Sequence, residues 1–78
     1  MDKLLQRIVI DSEVCNGQPV IRGMRITVKT ILEYLAAGES TSNILEAYPI
    51  LEKGDIQAAI LYASKFLDID VKSIKLAS

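Results

Sequence analysis

A chain of 78 residues, half of them hydrophobic, is too short for a cofactor-binding half plus a catalytic half and too apolar to stay disordered. With no histidine and a single cysteine, Cys15, it excludes an intramolecular disulfide, a Cys/His zinc site and His-based catalysis. The net charge of -1 is unevenly spread, five cations against three acids through Lys29 and four against seven beyond it, so a basic surface for nucleic acid can form only locally, near the first segment.

In chain order, Met1 to Arg7 leads into no long apolar run with a small-residue cleavage site, so no signal peptide is expected. No apolar run approaches the length of a membrane span, and the cytoplasm is the expected compartment. Arg7–Val14 reads as extended, with β-branched Ile8, Val9 and Ile10. Asp11-Ser12 is expected to turn the chain into a short return strand over Glu13-Val14-Cys15. Asn16-Gly17 marks a second turn, because both residue types tolerate positive φ. Val20-Ile21 and Arg25-Ile26 are two brief extended pieces on either side of Gly23.

Three helices follow. The first is expected over residues 28–37, capped by Thr27, with Val28, Ile31, Leu32 and Leu35 as its apolar stripe and Gly38 as its stop. The second spans residues 41–47, capped by Ser40 and ended by Pro49, with Ile44, Leu45 and Tyr48 facing inward. The third spans residues 53–67, its stripe formed by Ile56, Ala59, Ile60, Ala63 and Leu67. Leu61, Tyr62 and Phe66 widen that surface beyond what a two-helix contact needs, which marks them as an oligomer or partner interface. The pattern decays after Asp68, leaving residues 68–78 as a tail that a partner could order. The fold class is therefore mainly α: one domain over residues 1–67, a short N-terminal β element followed by three helices. The last two, joined across Tyr48–Glu52, have helix-turn-helix proportions.

Chemistry-bearing residues are sparse. Glu52 and Asp55 could be read as a paired carboxylate, but their spacing at a helix start fits the dipole and the unpaired amides better. Gly17, Pro19 and Gly23 are too dispersed for a phosphate loop and read as residues that fix a non-regular path into the first helix. Arg22, Arg25 and Lys29 are the charged set that stands out. Their competing readings are a solvated face around a packed loop and a basic edge for phosphate or an acidic partner, with Arg7 and Lys3 joining from the N-terminal arm. A small domain with no covalent staple also gains most from a partner chain, a copy of itself or another protein. No enzyme activity, metal or cofactor is expected.

The stretch Gly17-Gln18-Pro19-Val20-Ile21-Arg22-Gly23-Met24-Arg25-Ile26-Thr27-Val28 resembles the hallmark of the bacterial domain-of-unknown-function family 433, DUF433. The likeness continues through Ile31–Gly38, Ser40, Ile44-Leu45, Tyr48-Pro49 and Asp55–Ala63. This family has VapB-like antitoxin members. The resemblance implies a homeodomain-like or winged-helix-like domain that binds a PIN-like nuclease toxin and its own promoter DNA. Gly17, Pro19, Gly23 and Arg25 carry the motif. Two positions depart from the family pattern: Thr27 stands where Pro is common, and Leu51-Glu52-Lys53-Gly54-Asp55 replaces a Leu-Thr opening of the third helix. Two acids there would face phosphate if that helix read DNA, and Gly54 costs about 0.5–1 kcal/mol in a helix. The alternative is a dimeric or hetero-oligomeric adaptor with no DNA-binding activity.

Overall fold

The computed structural model describes residues 2–67; the side chains of Asp2, Phe66 and Leu67, and the tail expected over residues 68–78, lie outside the described residues. Among the described residues the fold is mainly helical, with four α-helices, a 3-10 turn at Cys15–Gly17 and one two-stranded sheet. In order, the α-helices and strands are α1 (Asp2–Leu5), β1 (Ile8–Val9), β2 (Val20–Ile21), α2 (Val28–Ala36), α3 (Thr41–Ala47) and α4 (Lys53–Leu67). The three expected helices are present. The single turn of α1 precedes them, and it escaped the sequence reading because four residues carry no measurable periodicity.

The sheet corrects one expectation. Ile8 and Val9 pair antiparallel with Ile21 and Val20, and Glu13-Val14-Cys15 forms no return strand. The Asp11 side chain accepts the Glu13 amide at 2.9 Å and the Asp11 carbonyl accepts the Val14 amide at 2.9 Å, so these donors are spent on turns. Cys15, Asn16 and Gly17 then hold φ of 50°, 59° and 78° in succession, a left-handed path that no strand can follow. The Cys15 thiol lies 3.5 Å from the Arg25 carbonyl.

Beyond β2 the chain doubles back on itself. The Met24 amide donates to the Ile21 carbonyl at 2.9 Å, the Ile21 amide to the Ile26 carbonyl at 3.0 Å, and the Val28 amide to the Pro19 carbonyl at 2.9 Å. Val20 also bridges Thr27, so β2 lies between β1 and the Ile26–Thr27 segment. Gly23 sits third in the Ile21–Met24 turn at φ +78°, where a type II turn requires positive φ.

The helix ends obey local chemistry. Thr27 Oγ1 accepts the Thr30 amide at 3.0 Å and Ser40 Oγ accepts the Asn43 amide at 3.1 Å. At the end of α2 the Gly38 amide donates to the Leu35 carbonyl and the Glu39 amide to the Tyr34 carbonyl, both at 3.0 Å. With Gly38 at φ +91°, this is a Schellman stop. Buried Val28 and Ile31 of α2, Ile44 of α3, and Ile56 and Ala59 of α4 meet Ile21 and Leu51 in one core. Tyr34 and Tyr48 close one side of it edge to face, ring centroids 5.8 Å apart. Ile60, expected in the buried stripe, is instead 38% exposed. At about 100° per residue it falls off the arc centred on Asp55, Ile56 and Ala59.

Gly23→Ala meets no atom within 4 Å, so its cost is backbone strain alone. Chemical denaturation is expected to show a loss of about 1 kcal/mol; an unchanged midpoint would contradict this account of the turn.

Candidate functional site

The first turn of α4 is closed by its own acid. Asp55, 3% exposed, accepts the Glu52 amide on Oδ2 at 2.8 Å. This is the back-bonding half of a capping box, supplied by Asp where a helix start more often carries Glu or Gln. The other oxygen, Oδ1, accepts Arg7 Nη1 at 3.0 Å, and the same nitrogen donates to Glu52 Oε1 at 2.8 Å. Arg7 reaches this point because its carbonyl accepts the Arg22 amide at 2.7 Å, which fixes its backbone beside β2. Its side chain is 33% exposed, that of Asp55 only 5%. The hydrogen bonds it donates to Asp55 and then to Glu52 raise the Arg7 pKa above its ordinary value.

Gly54 belongs to this arrangement. A Cβ at residue 54 would lie 2.8 Å from Arg7 Cζ and 2.9 Å from Nη2. The guanidinium therefore rests against the glycine backbone, where any larger residue would displace it. Sequence reasoning counted Gly54 as a defect and Arg7 as a basic contact, and missed that one accommodates the other. The available signal was the glycine itself: a residue that weakens a helix start without local reward marks a close approach from elsewhere.

The five basic residues proposed as nucleic-acid contacts border several hollows of the described surface. Lys3, Arg7 and Arg22 line a depression of about 460 Å³ together with Gln6, Ile21, Met24, Ile50, Glu52 and Asp55, and Arg7 already gives one nitrogen, Nη1, to the two carboxylates. Arg25 borders a different hollow beside Val9 and Val14. Lys29 borders a third, between α2 and α4. The motif residues Gly17, Pro19 and Gly23 shape the backbone path, and Pro19 also contributes to the wall of that third hollow.

The α2–α4 hollow is strongly apolar. It is an open groove of about 530 Å³ lined by Pro19, Val28, Leu32, Ala36, Tyr62 and Ala63, with Lys29 and Glu33 on its rim. Across Tyr62 it adjoins a second depression, of about 430 Å³, lined by Leu5, Ile8, Ile10 and Lys65. Ile10 is 61% exposed there. Of the interface residues read from the sequence, Tyr62 is half-buried and lines both depressions, and Leu61 is half-buried. The Phe66 side chain lies outside the described residues. Among the described residues no group of three or more Asp, Glu or Cys could hold a metal ion, and no helix is long and apolar enough to cross a membrane.

The Arg7–Gly54 contact makes a sign reversal testable. Helix propensity alone credits Gly54→Ala with a gain of about 0.5–1 kcal/mol. That gain is expected only in an Arg7→Ala background. In the wild type the added methyl displaces the guanidinium from Asp55, and urea denaturation should show no gain or a net loss. Equal gains in both backgrounds would contradict the contact.

Comparison with known proteins places this geometry in a family. The profile of the family described as "protein of unknown function (DUF433)" matches residues 8–63, which spans β1 through most of α4. The chain is 39% identical over 51 residues to the uncharacterized protein y4eO of Sinorhizobium fredii. That match takes in 65% of this chain and 23% of the relative, so the chain spans under a quarter of that protein's length. A crystal structure of a DUF433 member protein from Anabaena variabilis superimposes with a TM-score of 0.76 at 34% identity. It covers 86% of this chain and 66% of the other. With more than two-thirds of its length matched by the family profile and its fold matched by a member's crystal structure, this chain belongs to the DUF433 family.

Proposed function

We propose that this protein is a non-enzymatic regulator of the antitoxin type, active in the cytoplasm, that works as a two-fold dimer and by contact with another protein. The observation that supports this is the α2–α4 groove. Its lining is aliphatic and aromatic, and its rim carries one cation and one anion a helical turn apart, Lys29 and Glu33. An isologous contact repeats each pairing twice. Two copies packed antiparallel along α2 set Lys29 against the partner's Glu33 at both ends of a shared apolar seam. A partner chain is also the one staple open to a small domain whose lone cysteine cannot close a disulfide within the chain.

By this reading the PIN-like nuclease implied by the family resemblance is the protein partner. Promoter binding is the weaker part. On this reading α3 and α4 act as the helix-turn-helix pair of a homeodomain-like or winged-helix-like domain. In that arrangement the N-terminal end of α4 enters the DNA groove, and here its exposed carboxylate is Glu52, with Asp55 buried behind it and both paired to Arg7. The pairing of Arg7 with Glu52 and Asp55 draws one of the five cations away from any basic strip, which favours an adaptor that contacts protein over one that grips DNA.

Sedimentation at micromolar concentration is expected to give a dimer. Ala36→Glu, at an exposed position on the groove wall, should return it to a folded monomer whose thermal midpoint is lower and no longer depends on protein concentration. Lys29→Glu alone should weaken the dimer, and Lys29→Glu with Glu33→Lys should restore it. A wild-type monomer, or a charge exchange that fails to restore association, would overturn the two-fold arrangement.

A further inference from the structure

Arg7 uses one nitrogen, Nη1, for both of its carboxylate partners. Its Nη2 and Nε have no hydrogen-bond acceptor among the described residues. A Cβ at residue 54 would lie nearest Cζ, then Nη2 and Nε at 2.9 and 3.1 Å, so Gly54 covers a face of the guanidinium and leaves the Nη2–Nε edge open in its own plane, and Arg7 lines a depression of about 460 Å³. Lys3 and Arg22 border the same depression, are exposed, and make no ion pair with any described residue. Ile50, 63% exposed, and Met24 supply an aliphatic wall.

From this geometry we infer that the depression binds an acidic segment of another protein. One Asp or Glu carboxylate pairs with the Nη2–Nε edge of Arg7 in the bidentate manner that guanidinium geometry favours. Lys3 and Arg22 attract the approaching negative charge, and an aliphatic neighbour of the acid packs on Ile50 and Met24. The inference rests on the reading that the chain works by binding protein, and it is independent of the α2–α4 groove and of dimerisation. Protein is favoured over nucleic acid for two reasons. Glu52 and Asp55, both already paired to Arg7, border the depression, and against the three cations there they leave room for one further carboxylate but not for a continuous run of phosphates. Ile50 and Met24 also have nothing to offer a sugar–phosphate backbone.

The test uses the full chain and a pair of acetylated, amidated peptides, Ser-Leu-Asp-Leu-Ser and its Asn counterpart. In an NMR titration that includes arginine side-chain Nε–H signals, the Asp peptide should shift the Arg7 signal saturably. The Asn peptide should bind about tenfold more weakly, the loss of one charge-assisted pair. A Lys3→Glu/Arg22→Glu variant changes two exposed residues only, so it should keep the folded spectrum and bind the Asp peptide about tenfold more weakly. No shift at Arg7, equal affinity for the two peptides, or undiminished binding by the variant would overturn the proposal. So would a short DNA duplex that moves the Arg7 signal and displaces the peptide, which would make this a nucleic-acid surface. Sedimentation of the same samples separates the two readings: a dimer that ignores the peptide condemns this site alone, and a monomer that binds it condemns the dimer alone.

Discussion

The Arg7 guanidinium joins parts of the chain that are 45 and 48 residues apart, through Glu52 and Asp55. Most of the remaining architecture leans on that junction. Asp55 is buried, and a buried carboxylate without a partner is costly. The guanidinium and the Glu52 amide between them satisfy its two oxygens. Through the backbone of Arg7 the same junction carries β1 against β2, and through Asp55 it fixes where α4 begins. The direction of α4 then decides which residues meet Ile21, Ile31 and Ile44 in the core. A polar contact of modest size thus sets the register for apolar burial, the larger contribution to stability.

This division explains what the sequence made legible. Helix limits governed by neighbours within a turn were readable. Thr27 and Ser40 cap as their hydroxyls allow, Gly38 stops α2 by adopting a positive φ, and Pro49 follows α3. Features governed by distant partners were not. Nothing local shows that Ile8 and Val9 pair with Ile21 and Val20 rather than with the residues after Asp11-Ser12. The choice depends on Asp11 spending the Glu13 and Val14 amides on a turn and on three successive left-handed residues, two of which are not glycine. Ile60 is apolar at helical spacing, and only the direction imposed on α4 by Asp55 and Ile56 turns it outward.

The surface reading divides in the same way. Charge counts along the chain pointed to a basic first segment, and those residues do lie outside the core. Counting could not show that Arg7 is paired with two acids, or that Arg22 and Arg25, on either side of the Gly23 turn, border different hollows that share Met24. A turn reverses direction within four residues, so sequence proximity there says little about a shared face. The apolar positions of α4 were flagged for excess breadth, and Tyr62 does line exposed grooves. Its half-buried ring also serves the core of its own chain, so the face available to a partner is shared with α2 and depends on Val28, Leu32 and Ala36 as much as on α4.

The central claim is that the N-terminal segment and the start of α4 form one cooperative unit through Arg7. Hydrogen exchange tests it most directly at two amides, Arg22, which donates to the Arg7 carbonyl, and Glu52, which donates to Asp55. The Tyr48 amide, bonded to Ile44 within α3, serves as the reference. The account requires Arg7→Ala to lower the protection of Arg22 and Glu52 together while Tyr48 keeps most of its own. If Arg7→Ala leaves both amides as protected as in the wild type, the junction does not hold these parts together and the account is wrong.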